Sequence, residues 1–107
     1  MALTREFKRT VVERVQRDPE FARALLDEAA TLFLNGEADA ARLVLRDLVN
    51  ATVGFEALAA ETARPAKSLH RMLSKNGNPT MDNIAAILGV VRKSLGVELQ
   101  ARTIKAA

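Results

Sequence analysis

A chain of 107 residues leaves room for one compact domain and no second independent core, and at 49% apolar it belongs with folded rather than disordered chains. With no cysteine and a single histidine it has no disulfide, no thiolate metal site and no complete zinc set; no cofactor is expected, and a reducing cytoplasm is the compartment this fits. The formal charge of +3 is unevenly spread, residues 1 to 62 holding 8 basic and 11 acidic side chains (a sum of −3) and residues 63 to 107 holding 8 and 2 (a sum of +6), so the C-terminal part is the one suited to a polyanion.

The chain opens with charges at Arg5, Glu6 and Lys8, where a secretory signal needs an apolar run. No apolar stretch approaches the roughly 20 residues that cross a bilayer, so no membrane partner is expected. Thr4 is the expected cap of a first helix in which Phe7, Val11, Val12 and Val15 recur at helical spacing, ending near Asp18. Asp18 and Pro19 then read as N-cap and first turn of a second helix with Phe21, Leu25, Leu26, Ala29, Leu32 and Phe33 on its apolar face, stopped by Asn35 and Gly36.

Asp39 is the expected cap of a third helix, with Leu43, Val44, Leu48 and Val49 facing inward and Arg42 and Arg46 outward. After a break at 50 to 54 come two short helices, Phe55 to Thr62 and Pro65 to Ser74, with space only for a tight turn between them. The breakers Asn76, Gly77, Asn78 and Pro79 precede Thr80, which can cap a last helix whose buried stripe is Met81, Ile84, Ile87, Leu88, Val91 and Leu95. Gly96 ends it, and Val97 to Leu99 either form a short strand or fray. The chain shows no internal repeat, low-complexity segment or flexible linker.

The short helix pair carries the functional signal. A helix that enters the major groove must bury one side and offer the other to phosphates and base edges. At about 100° per residue, Arg64, Lys67, Arg71 and Lys75 fall within a wedge of about 80°, opposite Leu69, Met72 and Leu73 and flanked by Ser68, His70 and Ser74. No acidic residue lies between Arg64 and Met81 to repel a phosphate backbone. The competing reading is a solvated basic helix face. Against it stands the first helix of the pair, where the small Ala59 beside Leu58 permits close approach of the helix carrying Leu69 and Met72.

Leu58-Ala59, Lys67-Ser68-Leu69, Arg71, Leu73 and the run Gly77-Asn78-Pro79-Thr80 carry a family resemblance. The stretch from Phe55 through Val97, about the last half of the chain, resembles the helix-turn-helix of lambda-repressor-like, Xre-type regulators. More narrowly it is similar to the antidote proteins of HigA-like addiction modules and their solitary regulator relatives. The resemblance implies that the second helix of the pair reads the major groove, placing Lys67, Ser68, His70 and Arg71 at double-stranded DNA, and that the chain acts as a homodimer on palindromic sites. Arg64 and Lys75 join them through the basic stripe. Where the family turn carries glycine, an apolar residue and a capping serine, this chain has Ala63, Arg64 and Pro65, a poor left-handed residue and a poor N-cap ahead of an acceptable first-turn proline.

The sequence therefore predicts an all-α, lambda-repressor-like helix-turn-helix domain with two additional N-terminal helices: an extension over 1 to 36, a core over 39 to 96 and a tail over 97 to 107. The two extra helices read as core packing in preference to a dedicated partner surface. No enzymatic role is expected: His70 is the lone imidazole, with no carboxylate three or four residues away, and there is no phosphate loop, dinucleotide fingerprint or nucleophile elbow. Met72 and Met81 read as core residues. The leading expectation is a transcriptional regulator. The alternatives are an antitoxin that also grips a toxin protein through its N-terminal helices, and a helical interaction module without DNA affinity.

Overall fold

Asp18 shows how short-range chemistry sets a helix boundary here. Its carboxylate accepts the amide of Glu20 at 3.1 Å, and Pro19, which has no amide to satisfy, opens the helix. In the computed structural model, which describes residues 5–107 and side chains from residue 9 onward, this is the start of α2 (Pro19–Leu34), preceded by α1 (Arg5–Arg17). The cap expected at Thr4 and the side chain of Phe7 lie outside the described residues. Arg14 joins the two helices, its guanidinium lying 4.7 Å from the Phe21 ring centroid and 3.4 Å from Asp18.

Asn35 and Gly36 end α2 as expected. Gly36 takes φ 85°, and the next amide, of Glu37, reaches back to the Leu32 carbonyl at 2.8 Å. The third helix, α3 (Ala38–Ala51), begins two residues earlier than it would with Asp39 as its cap. Glu37 holds the cap position without a side-chain hydrogen bond, and Asp39 lies in the first turn, where its carboxylate is bound to Arg42.

The inward face of α3 differs from the expected one. Ala41, Leu45, Leu48 and Val49 are buried and Val44 is half-buried, whereas Leu43 is 38% exposed. Arg42, expected outside, is only 6% exposed. The helix is turned slightly from the orientation its leucines suggest, because it packs against α1 and α2 on one side and α4 on another. Arg46, also expected outside, is half-buried.

Beyond a glycine turn at Gly54 (φ 79°) come α4 (Gly54–Thr62), α5 (Ala66–Met72) and α6 (Met81–Ser94). Thr80 caps α6 by accepting the Asn83 amide at 3.1 Å. Met81, expected in the buried stripe, is 83% exposed: it is the first residue of the helix, and its side chain extends past the end of the packed face. Gly96 (φ 67°) closes α6 in the same way as Gly36 closes α2, the Val97 amide reaching the Arg92 carbonyl at 3.0 Å. The stretch 97 to 99 is neither strand nor frayed. Val97 and Leu99 sit half-buried against the core while Glu98 and Gln100 point to solvent.

Among the described residues the chain is all-helical, with six helices and no strand. One buried cluster draws on every helix, from Val15 of α1 through Leu26, Leu45 and Leu58 to Leu69, Ile87 and Val91. The first two helices are thus part of the same core as the last four. A radius of gyration of 13.5 Å accords with this, since a single domain of 100 residues has about 13 Å. Among the described residues no helix is long and apolar enough to cross a membrane.

Candidate nucleic-acid interface

The site is built on the connection between α4 and α5. Phe55 and Leu58 sink the inner face of α4 into the core, and the helix stops at Ala63, which adopts φ 55° and ψ 39°. The Arg64 amide then reaches back to the Ala59 carbonyl at 3.2 Å, the closure that Gly36 and Gly96 make elsewhere. Here it is made by a residue with a Cβ, which is disfavoured in that conformation.

Pro65, with φ −64° and ψ 138°, is extended and holds the cap position of α5. The helix therefore begins at Ala66 rather than at Pro65, and its carbonyl partner for Leu69 (3.1 Å) is that of Pro65. Arg64, expected as the cap, is one residue too early. It also turns inward: Nε donates to Asn83 Oδ1 of α6 at 2.6 Å and Nη1 to the Thr62 carbonyl at 2.8 Å. Arg64 thus fastens the α4–α5 turn to the first turn of α6.

On α5 the division of faces follows the sequence pattern. Leu69, and Leu73 just past the helix end, are fully buried and Met72 is half-buried, while Lys67, His70 and Arg71 are exposed and Ser68 is half-buried. Lys67 and Arg71, four residues apart, share one face. Among the described residues neither is held in an ion pair. The His70 ring stacks on Phe55 with centroids 3.8 Å apart and planes inclined by 20°, which fixes its orientation against the start of α4.

The four-cation stripe does not run along one helix. With α5 limited to Ala66–Met72, Arg64 lies before it and Lys75 after it, so helical spacing relates only Lys67 and Arg71. Lys75 is exposed in the turn that follows. The Ser74 hydroxyl is occupied, donating to the Arg71 carbonyl at 2.7 Å. That turn is held by Gly77, whose amide donates to the Ser74 carbonyl at 3.0 Å and which sits so close to the carbonyls of Arg71 and Met72 that a Cβ there would overlap both.

The structure thus brings Lys67, His70 and Arg71 together on the exposed side of α5, leaves Ser68 and Lys75 at its margins, and commits Arg64 to holding the turn. Asn83, Phe55 and Arg42 support this surface without having been singled out for it. Their partners lie 19, 15 and about 32 residues away in the chain, beyond the reach of a local pattern. No family model, no curated protein and no solved structure matches the chain.

Proposed function

We propose that this chain is a sequence-specific DNA-binding regulator of the Xre type, with α4 and α5 as its helix-turn-helix and α5 as the helix that enters the major groove. The observation that carries the reading is the two-sidedness of α5: Leu69 and Leu73 anchor it in the core while Lys67, His70 and Arg71 stay exposed, with no carboxylate between residues 64 and 81. An α-helix with its side chains is about 10 to 12 Å across, which suits a major groove about 12 Å wide.

In this reading Arg71 provides a forked donor suited to guanine O6 and N7, Lys67 a point charge for a base or phosphate, and Ser68 and Lys75 flanking phosphate contacts. His70, stacked on Phe55, contributes a ring nitrogen at a fixed position. Arg64 serves the interface by holding the turn. A homodimer would place two copies of α5 about 34 Å apart, one helical turn of DNA, a span comparable with the 38 × 33 × 29 Å extents of one chain.

Selection of duplexes from a random pool, followed by fluorescence-anisotropy titration of the best binder, tests the assignment. Lys67→Ala and Arg71→Ala should each weaken binding by about 1 to 3 kcal/mol if the lost contact is bidentate to a base, and by less if it is to phosphate alone. An affinity unchanged in the double variant rejects α5 as the contact. A chain that binds no duplex even at low salt belongs instead with helical interaction modules.

A further inference from the structure

Arg42 leaves α3 and ends on backbone more than thirty residues away. Its Nε donates to the Ser74 carbonyl at 3.1 Å and its Nη2 to the Lys75 carbonyl at 3.0 Å, the latter nitrogen also meeting Asp39 Oδ1 at 2.7 Å. The Arg42 side chain is 8% exposed, whereas that of Asp39 is 93% exposed. Taking a guanidinium out of water is unfavourable unless its donors are matched, and an apolar side chain of similar volume would fill the same space without that penalty. What an apolar side chain could not do is grip two successive carbonyls. Those carbonyls belong to the residues that carry the chain out of α5, next to Arg71 and including Lys75 itself.

We propose that Arg42 is a positioning residue for the candidate DNA face: it ties the exit of α5 to α3 and so sets where Arg71 and Lys75 are presented. The inference rests on the reading of α5 as the DNA-contacting helix. The planar fork of Arg42 fixes both carbonyls in one arrangement, and the charge lies at the C-terminal end of α5, where a cation is favoured. Gly77 closes the same turn, packed against the carbonyls of Arg71 and Met72. Asp39 orients the guanidinium from the surface, so that the beginning of α3 is mechanically joined to the end of α5.

The test combines amide hydrogen exchange with DNA titration on the full chain, using the duplex selected by the wild-type protein. In Arg42→Met the amides of Ser74 and Gly77, bonded to the Arg71 and Ser74 carbonyls, should exchange about tenfold faster, while those of Asn35 and Ile84 keep their rates. Duplex affinity should fall by a similar factor, because Arg71 and Lys75 are no longer held where the duplex meets them. Asp39→Ala, a surface change that leaves the fold intact, should move both readouts the same way by less, and Arg42→Lys should recover part of the loss. Uniformly faster exchange at all four amides, or unchanged exchange at Ser74 and Gly77, overturns the assignment, as does a duplex affinity unchanged in Arg42→Met. A wild-type chain that binds no duplex at any salt overturns the DNA reading of α5 and this role with it, even where exchange reports the tie.

Discussion

Ala63 carries the strain of the α4–α5 turn. Three helices close by the same backward hydrogen bond, two of them through Gly36 and Gly96, and the third through an alanine at φ 55°. A left-handed L-residue costs about 1 to 2 kcal/mol, of which the greater freedom of glycine in the unfolded chain returns part. Ala63→Gly should therefore stabilise the protein by about 0.5 to 1 kcal/mol, seen as a higher urea midpoint with an unchanged slope. Gly77 is the opposite case. Gly77→Ala drives a Cβ into backbone oxygens that cannot move independently of α5, and should cost about 2 kcal/mol or more in the same experiment.

At the scale of elements, the helix boundaries that depend on adjacent residues were legible in the sequence. Asp18-Pro19, Asn35-Gly36, Thr80 and Gly96 each act within a few residues, through a side-chain cap or a glycine closure, and each does so in the structure. Which face turns inward was less legible. Leu43 and Leu45 are equally apolar, and only packing against three neighbouring helices selects Leu45. Arg42 read as solvent-facing because its charge was visible and its carbonyl partners were not. The two faces of α5 were legible, since Leu69 and Leu73 keep helical spacing, but its length was not: Pro65 looks like a first-turn residue and is in fact extended.

A seven-residue helix does not hold its shape alone, so α5 depends on the two leucines that dock it. Leu69→Ala should cost about 2 to 5 kcal/mol of stability, measured by denaturant unfolding. The cap of α6 is a smaller matter. Thr80→Ala should cost about 1 kcal/mol, the amide of Asn83 losing its partner.

The whole molecule behaves as one core rather than as a four-helix unit with an appendage. Val15, Ala22, Leu26 and Ala29 belong to the same buried cluster as Leu58 and Ile87, and α3 packs on both N-terminal helices. Deletion of residues 1 to 36 should accordingly abolish the cooperative thermal transition followed by circular dichroism. A truncated chain with an unchanged transition would make α1 and α2 separable.

The central claim, that the exposed side of α5 meets a phosphate-bearing groove, is tested most directly by the salt dependence of duplex binding in the wild-type chain and in Lys67→Ala. Each neutralised phosphate contributes about −0.9 to the slope of log K against log salt concentration. The account predicts a steep negative slope for the wild type that becomes shallower by about one in the variant if Lys67 contacts a phosphate, and an unaltered slope with a lost base preference if it reads a base. A wild-type affinity that ignores salt, or a Lys67→Ala chain identical to it in affinity, slope and sequence preference, would contradict the claim.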